Sequence, residues 1–349
     1  MTHRDHPLVR TAQALADGLL APHAARVDEE GVPVSHLDAI RASGLLGVSA
    51  PVEYGGAGAP DGVAREVAEI LAGACCSTWF VQTQHHTPVR MLARSELPVR
   101  ERLLGPLATG ELLSGVAYAH VRAFPRVPVR VTRAGDGWRF DGTVPWCTGW
   151  GLNDLLLLAG VSDFGEVVFA FTEAREQPGL SPSAPMRLAA LSAARTVSLS
   201  LDGLWLPDTS VVRRTPRATF APADLARAAN TSPAVFGVTR AALNLLADAG
   251  EPESARVLRE RLDALRTSAY TLAEHPAPEA HVPERLALKT QAFTLLRTAT
   301  TAALVARGGR SMSLQDPTQR LARAALFLHI QAQTPASRTT HLKALTEEQ

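Results

Sequence analysis

Apolar residues recur at helical spacing from the start of the chain: Leu8, Ala12, Leu15, Leu19 and Leu20 form one stripe within residues 7–30. Gly31 and Pro33 stop that helix. Ser35 has the side chain of an N-cap and predicts a short second helix through Arg41, closed by Gly44. A breaker-rich loop follows, and helical periods return over 61–75, 77–93 and 98–108. The first third therefore reads as all-α. At Ser114 the texture changes. Ser114 to His120, Val127 to Arg133, Gly137 to Asp141, Val144 to Thr148, Leu155 to Gly160, Val167 to Thr172 and Thr196 to Leu201 are short runs, several of them β-branched or alternating. Asp141-Gly142 predicts a hairpin turn between two of them. The unbroken apolar run Leu155 to Val161 predicts a strand buried on both faces. Leu206-Pro207-Asp208 ends the strand-like region.

From Pro222 the helical period resumes in four segments, 223–249, 252–275, 283–309 and 317–346. Short connections between them predict antiparallel neighbours, hence a four-helix bundle. Leu288, Ala292, Leu295, Ala299, Ala303 and Ala306 mark the third segment as well buried. Pro335 predicts that the last helix stops near Gln333 and restarts. The fold class expected is an α+β multidomain chain: an N-terminal helical domain over 1–112, a small central β-sandwich or barrel over 113–214, and a C-terminal four-helix bundle over 215–349.

Charge narrows the possible functions. Lys plus Arg number 35 and Asp plus Glu 34, a formal +1, so nothing points to nucleic acid or an anionic membrane surface. Cys75, Cys76 and Cys147 offer neither a disulfide framework nor metal-type spacing, which fits a reducing, cytoplasmic setting and no bound metal. Arg4, Asp5, Arg10 and Asp17 interrupt the first twenty residues, so no secretory leader is expected there. No apolar run approaches the roughly 20 residues that span a bilayer.

Candidate chemistry gathers at Arg139 to Gly151. Trp146 and Thr148 stand together at a strand end, with Gly149 and Gly151 letting the backbone leave at unusual dihedrals. Such a pair can offer a flat apolar wall and one hydroxyl to a planar ligand, or serve as core and strand residues.

The order of helical, β and bundle thirds, with four motifs, resembles the acyl-CoA dehydrogenase superfamily. Gly44-Leu45-Leu46-Gly47, then Pro51, Glu53-Tyr54-Gly55-Gly56 and Gly58, is similar to that family's N-terminal signature. Asp141-Gly142 with Trp146-Cys147-Thr148 resembles its G-x-K-x-W-I-T strand pair. Arg195-Thr196 through Leu204-Trp205-Leu206-Pro207 resembles the end of its β domain. Gly308-Gly309, Pro317 and Arg320-Leu321-Ala322-Arg323 resemble its last two helices. The resemblance implies FAD bound between β domain and bundle, a homodimer or homotetramer, an acyl-thioester or other small-molecule substrate, and a flavin reductase or electron-transfer partner. It places the flavin ring against Trp146, the flavin edge at the Thr148 hydroxyl, a cofactor-binding position at Cys147 between them, a flavin-contacting turn at Tyr118, Ala119 and His120, and a cofactor-approaching loop at Thr334.

Three departures fall at functional positions. Ala336 stands where many members carry the Glu that removes the substrate α-proton, and a methyl cannot accept a proton; such help is typically worth about 100- to 10,000-fold. Glu260 and Glu274 lie where some members place the base but fit no motif. The Arg and Phe-Gly expected between the first two bundle helices are missing from Ala247 to Pro252. That predicts weak or exchangeable flavin, with FMN or reduced flavin from a partner as options. Third, His120 to Pro128 replaces the T-E-P-x-x-G-S-D segment, leaving Arg122 and Arg126 for an anion or for solvent. His120 and His329 become the candidate proton donors or acceptors. His85-His86 lack metal-like partners and read as structural. Three functions stay open: a flavin-dependent oxidoreductase acting on the CH–CH group of an acyl thioester, a flavin-dependent monooxygenase of the same fold, and a catalytically degenerate binding or assembly subunit.

Overall fold

A computed structural model describes residues 3–347. Its helical first third contains α1 (Pro7–Leu15), α2 (Ala21–Glu30), α3 (Val34–Ala42), α4 (Asp61–Ala74), α5 (Cys76–Thr83), α6 (His86–Ala93) and α7 (Val99–Thr109). One wider π turn, Ala16–Leu20, joins α1 to α2, so the stripe read from Leu8 to Leu20 lies on one nearly continuous rod. Two expectations fail in detail. Ser35 is no N-cap: α3 begins at Val34, after Pro33, which has no side-chain acceptor to give. The helix expected over 77–93 breaks at Gln84-His85. There the His85 ring is pinned between the Leu107 carbonyl, 2.9 Å from Nε2, and the Ser114 N–H, 3.1 Å from Nδ1. The neighbouring His86 contacts Gln82 Oε1 at 3.1 Å. Both histidines are structural ties.

The middle third is one folded sheet. It comprises β1 (Ser114–Ala117), β2 (Val129–Ala134), β3 (Gly137–Cys147), β4 (Leu155–Ser162), β5 (Glu166–Glu173), β6 (Leu180–Pro182), β7 (Val197–Pro207) and β8 (Val211–Pro216). The strands run in the order β6-β7-β3-β2-β4-β5-β8, with β1 parallel to β4. The hairpin turn lies at Gly135-Asp136, not at Asp141-Gly142. Asp141 and Gly142 are inside β3, where the register against β7 slips between Phe140 and Gly142. Gly142 sits at φ 129°, and a Cβ there would stand 2.0 Å from the Pro128 carbonyl oxygen. The glycine therefore permits a bulge, not a reversal. Val211–Pro216 continues the sheet beyond the expected end at Pro207 by pairing with β5.

β4 is buried on both faces, as its apolar run predicts. Leu156 and Leu158 face an inner core with Val131, Phe140, Val168 and Leu199. Leu157 and Ala159 face an outer core shared with Leu104 and Leu107 of α7 and Phe169 of β5.

The last third holds α8 (Arg217–Ala228), α9 (Pro233–Asp248), α10 (Pro252–Ala273), α11 (Val282–Arg307), α12 (Pro317–Leu328) and α13 (Pro335–Glu347). The first expected bundle segment splits at Thr231-Ser232, before Pro233, and the last splits before Pro335. α9 to α12 form the bundle. α4 packs onto α9 so closely that a Cβ on Gly237 would stand 2.1 Å from the Glu69 carbonyl oxygen. Beside that contact the fully buried Glu69 carboxylate accepts from Arg240 (2.5 Å), Arg266 Nε (2.7 Å) and the Tyr270 hydroxyl (2.5 Å). Removing one partner of such a pair costs about 3–5 kcal/mol. The first and last thirds thus share one core and one ionic tie. No helix among the described residues is long and apolar enough to cross a membrane.

Candidate functional site

Side-chain alternation at the end of β3 separates its last residues. Cys147 points into the β core with no exposure, where burial pushes its thiol up to about 12. Only the Cys147 backbone is left to face a ligand. Trp146 points the other way and is 56% exposed, a large apolar surface for a residue within a strand. Thr148, just past the strand, is buried, with its hydroxyl 3.2 Å from the Thr196 hydroxyl.

The connection before β7 holds this end in place. Gly149 N–H donates to the Ala194 carbonyl (2.8 Å) and Trp150 N–H to the Arg195 carbonyl (3.2 Å). Asn153 Nδ2 donates to the Thr148 carbonyl at 3.0 Å. Gly149 and Gly151 take φ of 79° and 74°, the dihedrals their positions require. Leu191 and Arg195 also sit at positive φ, 55° and 50°. Side chains there cost of order 1 kcal/mol or more, so the surroundings over-determine this turn. Sequence reading missed Asn153, for which no local signal exists. Thr196 lay in a quoted motif, but its pairing with Thr148 is a long-range contact.

The turn after β1 carries Tyr118, Ala119 and His120. The Tyr118 ring meets Phe169 edge-on at 5.5 Å, and burial raises its hydroxyl above the usual range. Ala119 is exposed. His120 is buried, its Nε2 donating to the Ala159 carbonyl of β4 at 2.9 Å while Nδ1 has no partner. Burial pushes the ring down to about 4, so it is neutral at pH 7. Its hydrogen bond ties the turn to the sheet. Arg122 forks onto Asp224 of α8 at 2.6 and 2.9 Å, and Arg126 is exposed.

At the bundle end, Thr334 and Ser337 cap α13 reciprocally. Ser337 Oγ accepts from the Thr334 N–H (2.9 Å), and Thr334 Oγ1 accepts from the Ser337 N–H (3.2 Å). Ala336 falls in the helix's first turn. His329 lies next to this loop in sequence. Its Nδ1 donates to the Ala325 carbonyl at 2.6 Å, and its ring stacks on Phe293 (5.1 Å) and His341 of α13 (5.3 Å). Burial lowers its pKa, so it too is neutral at pH 7. His341 was not singled out in the sequence, because only the return of α13 brings it to His329. Helices alternate in direction, so α9 begins and α12 ends at the same bundle end. Asp248, the one acid of α9, sits at that helix's far terminus, ~24 Å away at 1.5 Å per residue. Glu260 pairs with Arg256 on the surface and Glu274 with Arg65. Both are solvated-face carboxylates.

A cleft of about 760 Å³ opens at the other end of β3, around Trp138. Its cations are already engaged, Arg133 with Asp208 and Arg214 with Glu166. It leaves the Trp146 end as the better place for a planar ligand.

Residues 2–111 match the model of the acyl-CoA dehydrogenase N-terminal domain. A probable acyl-CoA dehydrogenase of Mycobacterium leprae is 26% identical over 210 residues, 58% of this chain and 54% of that protein. The chain thus aligns with about half the length of that relative. Among solved structures, butyryl-CoA dehydrogenase from Megasphaera elsdenii superposes over 99% of both chains with a TM-score of 0.82 at 17% identity. Dibenzothiophene monooxygenase from Paenibacillus sp. A11-2 superposes over 99% of this chain and 98% of its own with a TM-score of 0.81 at 18% identity. At these identities the superpositions establish the fold.

Proposed function

Given a chain that belongs to the acyl-CoA dehydrogenase superfamily by its N-terminal domain and its fold, we propose a flavin-dependent oxidoreductase that acts on the CH–CH group of an acyl thioester. The observation that carries this reading is the exposed Trp146 indole beside the supported Thr148 hydroxyl. A flat apolar face next to a hydroxyl pair fits the ring of a flavin, FAD or FMN, which supplies a hydride acceptor when bound. Trp146 would support the ring face, and Thr148 would present a hydroxyl to its edge with Thr196 fixing the rotamer. The Tyr118-Ala119-His120 turn and the capped Thr334 loop would close the site from the sheet side and the bundle side. Neutral His329, five residues before Thr334, would accept a substrate α-proton, since Ala336 cannot.

One observation favours a second reading, a monooxygenase of the same fold using reduced flavin from a partner reductase. The Ala336 position holds no carboxylate, and such a reaction needs none there. The missing cation between α9 and α10 supports exchangeable flavin under either reading. Exposed Leu326 on α12, Ile330 in the turn after it and Leu342 on α13 favour self-association into a homodimer or homotetramer.

The deciding experiment is the visible spectrum of the purified protein, followed by flavin titration and anaerobic reduction with a panel of acyl thioesters. Flavin bleached by a thioester is expected. Thr148→Val should weaken flavin binding roughly fivefold, about 1 kcal/mol for one hydrogen bond. Flavin that binds but is never bleached by any thioester moves the assignment to the monooxygenase. No binding of oxidised or reduced flavin leaves the degenerate-subunit reading.

A further inference from the structure

Charge balances over the whole chain, at a formal +1, but not locally. Ser95, just beyond α6, donates to the Val212 carbonyl at 2.7 Å. That bond sets the end of α6, carrying Arg90 and Arg94, against β8, carrying Arg213. The Arg122–Asp224 fork draws in α8, whose Arg227 lies 3.6 Å from the same carboxylate. Arg217, the first residue of α8, stands 3.4 Å over the ring of Phe124, which is 51% exposed. Arg90, Arg94, Arg213 and Arg227 therefore gather at one rim, with Arg122 and Arg217 on the segments packed beside it.

Arg90 and Arg213 each feel the positive charge of both Arg94 and Arg227, and Arg90 feels the negative charge of Asp61 more strongly than either. Asp224 is the acid that directly contacts any of the six, and Arg122 already occupies it on both oxygens. Among the described residues, Arg90, Arg94 and Arg213 have no ion pair or side-chain hydrogen bond. Like charges gathered within about one screening length, ~10 Å, repel one another, and Asp61 near Arg90 and Asp224 beside Arg122 and Arg227 offset that repulsion in part. An acidic partner would relieve it.

The exposure of these side chains decides what kind of partner. Arg90, Arg94 and Arg227 are exposed, the first two at the end of α6 and the third on α8. A small phosphate is held by donors converging on one enclosed point. A spread rim with an exposed aromatic at its edge suits the broad acidic face of a protein. The rim also surrounds Tyr118, which senses Arg122, Arg227 and Asp224 and belongs to the turn read as facing the site.

We propose that this arginine rim docks an acidic carrier protein that delivers the substrate as a thioester on a phosphopantetheine arm, entering beside Tyr118. The destination of the arm rests on the functional reading above; the docking does not, and it is measured without turnover.

The test is calorimetric titration of the full chain with a holo acyl carrier protein at about 50 mM salt. Binding is expected to weaken at least tenfold in the Arg94→Glu/Arg227→Glu variant, and several-fold in the wild type at 300 mM salt, because the contact is electrostatic. Flavin content and melting temperature should be unchanged in the variant. No binding by the wild type, or equal binding by the variant, overturns the proposal. Free coenzyme A that binds as tightly as the carrier and is lost in the same variant makes the rim a small-phosphate site instead. Duplex DNA that competes as well as the carrier makes it a general polyanion surface. Carrier binding without any flavin binding keeps the docking and removes the functional reading.

Discussion

The sheet side and the bundle side of the proposed site differ in what they have kept. On the sheet side, Trp146 and Thr148 stand on a turn held by Asn153, Thr196 and two backbone bonds to Ala194 and Arg195. Residue types and their support agree there. On the bundle side the support is intact, with Thr334 and Ser337 capping α13, but the position that would carry an acid holds Ala336. The scaffold of a loop and the chemistry on it are separable. Capping bonds involve the backbone and two short side chains, so a change at the next residue leaves them untouched.

The largest test of that contrast restores the acid. Ala336→Glu places a carboxylate in the first turn of α13, where the helix dipole favours it. Flavin reduction by a thioester, followed anaerobically by stopped flow, should accelerate about 100-fold or more. No acceleration would mean that the bundle wall has departed in more than one residue.

The second concerns protons. His120 has its pKa lowered to about 4 by burial, against 6.5 when unfolded. Between those values the unfolded chain binds the extra proton and the folded chain does not. Stability is therefore complete above pH 6.5, falls by about 1.4 kcal/mol per unit per such histidine as pH drops towards 4, and levels off below it. His85 behaves alike. Denaturant unfolding across pH 4–7 should show a shallower slope in His120→Gln, and an unchanged slope would mean that the turn opens to water.

Asn153→Ala comes third. It strips a buried carbonyl of its partner and should cost about 1–3 kcal/mol in denaturant unfolding, with weaker flavin binding. The smallest effect is on the other wall: Thr334→Ala removes one cap and should cost about 1 kcal/mol. If it instead weakened flavin binding as much as Asn153→Ala does, the two walls would be equally committed to the ligand.

Much of this was legible from the chain because its signals are local. The helical stripes, the doubly buried Leu155 to Val161 run and the breaks at Pro33 and Pro335 depend on neighbours a few residues away. Asp141-Gly142 misled for the opposite reason. The dipeptide suits a turn, but pairing with β7 made it a bulge, and the reversal fell on Gly135-Asp136. Ser35 misled likewise, since Pro33 set the start of α3. At the site, Trp146 and Thr148 could be named from their glycine-bounded strand end, whereas Asn153, the Thr196 pairing and the His329–His341 stack could not.

By itself the sequence determined the three-part order, the helical and strand periods, the near-zero net charge and the absence of a carboxylate at position 336, because each is a property of residue identity and short spacing. Only the tertiary structure decided which face of β3 shows its tryptophan, which histidines are locked as neutral ties, and that arginines from α6, β8 and α8 share one rim. Those depend on contacts between residues tens to hundreds of positions apart, set by how the sheet and helices pack to bury apolar surface.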